Sequence, residues 1–358
     1  MQNKILKAVG KAAFLLLIGG VFFVNGCKTG NTEKEEPENA IKDSTEIVET
    51  VYTIEDLTTM LRHDPLNADL FAKRAGLRAF QNQFDEAIND ISLAIRLDSL
   101  NPLYYTMQAE YFIYGGQPNS AKKGLTQCLN LFPGNTDIML KLAEIHFYLK
   151  EYSQSKTILR EVVTLNDNLG QIYFLQGLIL LENKDSTNAI RNLRFAVEKD
   201  PDFYSAYMML GRVHSEMNND LAIDYYRAAV DVIPDSYEAR YNLALYLQDH
   251  NYQVEAENEY LYIIQKIDST IANPYYNLGY LHLIYKQEFE KAVEYFTTAI
   301  EKEHDYIEAW YNRGFTYEVM GKLKLARADY KKSLDLQANY PLSIKGLNRL
   351  DDGKPFKY

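Results

Sequence analysis

YSAYMMLGRVHSEMNNDLAIDYYRAAVDVIPDSY, residues 204–237, carries a pattern that recurs along most of the chain. Its anchors are Tyr207, then Leu210-Gly211, then Ala222, Tyr226 and Ala229, and finally Pro234. Small residues at Gly211, Ala222 and Ala229 let two helices of a hairpin approach closely, the apolar residues fill the seam, and the proline stops the second helix.

Laid along the sequence, the pattern fits eight times. The Gly211 position is filled by Ala75, Ala109, Ala143, Gly177, Gly211, Ala244, Gly279 and Gly314. The Ala222 position is filled by Ala87, Ala121, Ser155, Ala189, Ala222, Ala256, Ala292 and Ala326. Members of the first series stand 34, 34, 34, 34, 33, 35 and 35 residues apart. Trp310, Gly314, Tyr317, Ala326 and Tyr330 in the eighth copy, and Tyr275, Leu278-Gly279, Ala292, Phe296 and Ala299 in the seventh, complete the signature. Over roughly residues 53 to 351 the sequence therefore resembles the tetratricopeptide-repeat (TPR) family. The resemblance implies an all-α fold, a right-handed superhelical solenoid of helix-turn-helix hairpins. Departures are local: Ser155 stands for the usual alanine, Arg74 for the leucine before the small residue, and Asp167, Asp268 and His304 for the terminal proline.

Hydrophobic residues make up 47% of the 358, enough for a continuous core in which each hairpin touches its neighbours. The net charge is −11, and the first 26 residues contribute Lys4, Lys7 and Lys11 with no acid, so the remainder is three units more negative. Such a surface repels phosphate backbones, which excludes a nucleic-acid partner. Two cysteines make no disulfide framework, and Cys128 falls where Ala94, Ala196 and Ala229 stand in other copies, a position for a small packed residue.

Residues 1–26 open with lysines and continue with an apolar run from Ala12 to Val24, shorter than the roughly 20 residues of a membrane span. Val24-Asn25-Gly26-Cys27 resembles a bacterial lipobox, which implies cleavage after Gly26 and acylation of Cys27. An ordinary signal peptide or an uncleaved anchor with an incidental cysteine is the other reading. Lipidation would tether the chain to a membrane, and Lys28 beside the cysteine points to the bacterial outer membrane, on its periplasmic or its outer face. Residues 27–52 then read as a lipidated cysteine and a disordered acidic linker. A capping helix is expected over residues 53–66, opened by Thr53-Ile54-Glu55-Asp56 and stopped at Pro65. Eight repeats fill 67–340. A last helix and tail occupy 341–358, with Ile344, Leu347 and Leu350 expected inward, Arg349 outward, and the closing DGKPFKY frayed.

Motifs for catalysis, phosphate cradling or metal binding are absent from the sequence, so no enzyme, cofactor or metal is expected. His146, His214 and His282 share one framework position facing the seam, which suits hydrogen-bonded packing. The alternative of a glycan-acting subunit rests on Glu110 and Glu144 alone.

What remains is a binding surface. In the family the first helix of each hairpin lines a concave groove, and mapping its inward positions gives Tyr241-Asn242, Tyr276-Asn277 and Tyr311-Asn312, with Leu245, Tyr280 and Phe315 one turn on. Three amides, one per repeat, could pair with the backbone of an extended peptide irrespective of its sequence, and the rings would add contact area. The same residues could instead be framework. Tyr114, Phe147, Tyr148, Phe174, Leu178, Leu181 and Met208 are also expected to face inward, covered by a partner or by neighbouring helices. The expected function is a membrane-tethered scaffold or assembly adaptor of the bacterial envelope that binds a protein or peptide. In layout it resembles pilotins for secretins and regulatory subunits of cell-wall hydrolases.

Overall fold

A computed structural model describes residues 52–356, so Cys27 and the stretches read as leader and linker lie outside the described residues. The described residues form 18 α-helices with no strand among them, and the chain divides into two compact units after Pro201.

The first unit starts with helix Ile54–His63, whose Thr53 hydroxyl accepts from the Asp56 N–H while the Asp56 carboxylate accepts from the Thr53 N–H. Four hairpins follow: Ala68–Phe80 with Phe84–Leu97, Pro102–Tyr114 with Pro118–Leu131, Thr136–Tyr148 with Tyr152–Leu165, and Gly170–Glu182 with Ser186–Lys199. The second unit holds Tyr204–Glu216 with Leu221–Val232, Tyr237–Asp249 with Gln253–Tyr262, Ala272–Leu281 with Phe289–Lys302, and Ile307–Val319 with Leu323–Leu336. Helix Pro341–Asp351 closes it. Asn67, Asn101, Asn135 and Ser236 start first helices by accepting from free backbone N–H groups of the first turn.

The small-residue series explains how closely each pair packs. A Cβ on Gly211 would lie 2.6 Å from the ring of Tyr226, and one on Gly279 would lie 2.7 Å from Phe296. Ala75 and Ala109, at the same position in earlier hairpins, pack in clusters that contain the slimmer Ile91 and Leu125. Two of the departures from pattern, Arg74 and Ser155, have partners inside the hairpin. Arg74 clamps Asp90 through Nε and Nη2, both at 2.7 Å, and Ser155 Oγ donates to the Ala143 carbonyl at 2.9 Å.

Each hairpin turn contains one residue in the left-handed region: Asn82, Gly116, Lys150, Lys184, Asn218, Asn251, Gln287 and Gly321. Two of the eight are glycine and three are asparagine, which tolerates this region, while on Lys150, Lys184 and Gln287 the packed helices impose it.

Two one-residue insertions are wound into the helices. Gly279 and Ala292 stand 13 apart where Ala75 and Ala87 stand 12 apart, and the first helix of that hairpin ends in a π-helical turn, His282–Lys286. Ala256 and Gly279 stand 23 apart where Ala222 and Ala244 stand 22 apart, and a second π-helical turn, Ile263–Ile267, sits between them. Spacing alone would allow the first insertion to loop out of the hairpin turn. The helix absorbs it by widening one turn, which keeps both flanking seams in register.

The closing helix departs from expectation. Its buried residues are Ser343 and Gly346, while Ile344 is 38% exposed and Arg349 reaches inward. A Cβ at Gly346 would come within 2.5 Å of the Tyr330 ring, so the small residues set the facing side here just as they do in the hairpins.

Candidate functional site

All nine groove residues singled out by sequence lie in the second unit, on the first helices of its last three hairpins. Tyr241, Tyr276 and Tyr311 are half-buried, as are Asn242, Leu245, Tyr280 and Phe315, whereas Asn277 and Asn312 are buried.

The repeat stitches these side chains together. Asn277 Nδ2 donates to the Tyr241 hydroxyl at 3.1 Å, and Asn312 Nδ2 donates to the Tyr276 hydroxyl at 2.8 Å, the same bond one hairpin later. Each amide thus ties its own helix to the tyrosine of the preceding hairpin. Burial pushes the phenols of Tyr241, Tyr276 and Tyr311 above their ordinary value, so all three keep their proton in any neutral solution.

Each of these tyrosines is paired with another ring. Tyr241 stacks on Tyr237 with centroids 5.3 Å apart, Tyr276 on Tyr306 at 4.8 Å, and Tyr311 meets Tyr340 edge-on at 5.8 Å. Sequence reasoning passed over Tyr306 and Tyr340. They stand 34 residues apart, immediately before the first helix of the last hairpin and before the closing helix, so the repeat period itself was the available signal.

Leu245, Tyr280 and Phe315 form a column beside these rings, and its last member is covered. The segment after the closing helix, expected to fray, folds back: the Phe356 ring lies 5.1 Å from that of Phe315, and the Phe356 N–H donates to Glu318 Oε1 at 2.8 Å. Glu318, which is 1% exposed, also receives Arg349 at 3.0 and 2.7 Å and the Tyr330 hydroxyl. Burial alone would raise its carboxyl, but the bonds from Arg349, Tyr330 and Phe356 outweigh that and hold it below the ordinary carboxylate value.

Of the apolar residues expected to face inward elsewhere, Phe147, Phe174, Leu178 and Met208 are buried, so packing within the chain covers them. Tyr114 and Tyr148 remain 39% exposed. Glu110 and Glu144 both bind the Lys141 ammonium, each at 3.0 Å, which commits the two carboxylates to an ion-pair network.

The histidines are packed and bonded. Nδ1 of His146 is 2.6 Å from Glu151, Nδ1 of His282 is 2.8 Å from Glu288, and His214 stacks on Tyr225. Among the described residues no group of three or more His, Cys, Asp or Glu side chains is placed to hold a metal ion. Cys128 is a buried free thiol pushed up to about 11 by burial.

Comparisons with known proteins agree with this architecture. Tetratricopeptide-repeat family profiles match residues 137–168, 174–231, 272–301 and 307–340. The mitochondrial import receptor subunit TOM70 of Rattus norvegicus is 22% identical over 196 residues, covering 51% of this chain and 32% of that protein. The human protein O-mannosyl-transferase TMTC3 is 24% identical over 230 residues, covering 63% of this chain and 25% of that protein. The chain thus spans about a third or less of the length of these curated relatives. Among solved structures, the C-terminal part of a TPR repeat-containing protein from Cytophaga hutchinsonii superposes with a TM-score of 0.57 at 17% identity, over 68% of this chain and 99% of that one.

Proposed function

The chain belongs to the tetratricopeptide-repeat family, a fold of interaction scaffolds, and from that premise we propose that it binds an extended protein segment along the first helices of its last three hairpins. The observation that carries this reading is the column Leu245, Tyr280 and Phe315 beside the stacked tyrosines. It is a run of half-buried apolar side chains that recurs once per hairpin, so successive side chains of one peptide would meet equivalent stations. Because Asn277 and Asn312 already each donate to a tyrosine, the rings would supply most of the contact and the amides would chiefly hold the rings in place.

We further propose that Cys27 carries a lipid anchor and that the acidic linker holds the repeats off a bacterial outer membrane. This rests on the lipobox-like Val24-Asn25-Gly26-Cys27 and on nothing in the described residues, none of whose helices is long and apolar enough to cross a membrane. The role would be that of an envelope assembly adaptor, of the pilotin or hydrolase-regulating kind. No catalysis is assigned to the aromatic column.

Two experiments test these readings. A photo-crosslinking amino acid placed at Tyr280 in native membranes should capture a protein that the same probe at exposed Lys331, on the second helix of the last hairpin, does not. Equal capture from both positions, or none at Tyr280, removes the groove. Separately, Cys27→Ala should shift the protein from the membrane to the soluble fraction, and retention in the membrane removes the anchor.

A further inference from the structure

The segment after the closing helix is built to return to the groove. Asp352 caps the helix, Gly353 adopts φ +66, and the Lys354 N–H donates back to the Arg349 carbonyl at 2.9 Å, which reverses the chain. Pro355 then restricts the backbone, so that Phe356 arrives on Phe315 with its N–H on Glu318. This contact has the two components by which a groove grips an extended peptide: a side chain on an apolar shelf, and a backbone N–H on a fixed acceptor.

The acceptor has partners outside the tail: Arg349 donates to both oxygens of Glu318 and the Tyr330 hydroxyl donates to one of them. The tail is held lightly by comparison, since the Phe356 residue stays 41% exposed. An acceptor so held, under a shallow occupant, is suited to exchange. The occupying sequence, Lys354-Pro355-Phe356-Lys357, carries a lysine on each side of the Pro-Phe pair, on a chain whose net charge is −11.

We propose that Phe315 and Glu318 form a docking station for a Pro-Phe segment with basic flanks, that the chain's own tail fills it in cis, and that a partner protein carrying such a segment displaces the tail. The inference rests on the groove reading above but concerns only its last station. Binding of the partner is then regulated by the tail: if the tail is docked about nine-tenths of the time, the apparent affinity for an outside peptide is about tenfold weaker than for the open station.

The test uses fluorescein-labelled Gly-Lys-Pro-Phe-Lys-Tyr, the tail's own sequence, and fluorescence anisotropy. Two chains open the station: one ending at Gly353 and the full chain with Phe356→Ala, so that a folding defect in the first leaves the second. Both should bind the peptide at least tenfold more tightly than the unmodified chain. A peptide with alanine in place of its phenylalanine should not bind, and Phe315→Ala on the opened chain should cost tenfold or more. No binding to either opened chain, or equal binding to opened and unmodified chains, overturns the proposal, while crosslinking at Tyr280 would still stand or fall by itself. Sedimentation of the unmodified chain covers exchange between copies: a concentration-dependent dimer abolished by Phe356→Ala would make the occupant a second copy and overturn docking in cis.

Discussion

Replacing Asp90 with alanine should destabilise the first hairpin while leaving the second unit intact. Asp90 is 2% exposed and accepts Arg74 through two bonds of 2.7 Å and Arg78 through a third of 2.7 Å. Arg74 also donates to Thr58 at 3.0 Å, so the carboxylate anchors a guanidinium that joins the capping helix to the hairpin. Removing it leaves the Arg74 side chain, 12% exposed, with its charge unpaired, whereas Arg78 at 21% can turn toward water. Breaking a buried pair typically costs 3–5 kcal/mol, and the partial escape of Arg78 puts the loss at about 3 kcal/mol. Each hairpin leans only on its neighbours, so the loss should be local. Amide hydrogen exchange should show residues 54–97 exchanging about a hundredfold faster, with 204–351 unchanged. Arg74→Leu with Asp90→Leu removes the clamped pair together and installs the leucine that Leu142, Leu210, Leu243 and Leu278 supply elsewhere, so it should recover more than half of the loss. A single variant within 1 kcal/mol of the parent, or a double variant no better than the single, would refute the reasoning.

Gly211→Ala gains about 1 kcal/mol of helix propensity but drives a Cβ to 2.6 Å from the Tyr226 ring, so chemical denaturation should show a net loss of about 1–2 kcal/mol. Lys150→Gly and Lys184→Gly relieve left-handed backbones and should each stabilise by up to about 1 kcal/mol, read as a higher denaturation midpoint. Glu318 has a depressed folded value, so its contribution is complete above its unfolded value near pH 4.3 and fades as pH falls through the folded one. Amide exchange over 341–356 should therefore quicken selectively under acid, and Glu318→Gln should flatten that dependence. In a double-mutant cycle without ligand, Asn277→Ala and Tyr241→Phe should couple by about 0.5–1.5 kcal/mol; additive losses would mean that their 3.1 Å bond does not form in solution.

The hairpins were legible because their signal is redundant. A small residue, an aromatic and a helix stop recur together, and a helix seam tolerates no bulk where Gly211 faces Tyr226. The turns were legible in position but not in conformation, because Lys150, Lys184 and Gln287 carry no preference for the backbone they adopt. Nor does spacing alone say whether an extra residue loops out or widens a helix. His282–Lys286 winds because the seams on both sides must stay in register. The inward reach of Arg349 was missed because a long side chain escapes period counting: its Cα lies beside the interface while its guanidinium reaches Glu318. The tail was misjudged for a related reason, since the ring contact and the N–H bond that bring Phe356 to Phe315 and Glu318 have no periodic signature.

At the candidate site the sequence named the residues and left their duties open. Tyr-Asn pairs at one register admit two uses, ligand contact and inter-repeat bonding, and the two draw on the same amide hydrogens. In Asn277 and Asn312 one hydrogen is engaged by the preceding tyrosine, and burial limits what reaches the rest of the amide. The bond also fixes the tyrosine ring, so framework and function are linked: an amide that touches no ligand still determines the surface that would. Removing it should therefore weaken binding and stability together, whereas truncating Tyr280, which lies at the half-buried surface, should weaken binding with little loss of stability. The ratio of those two effects, residue by residue along the column, separates the side chains that meet a peptide from those that hold the others in place.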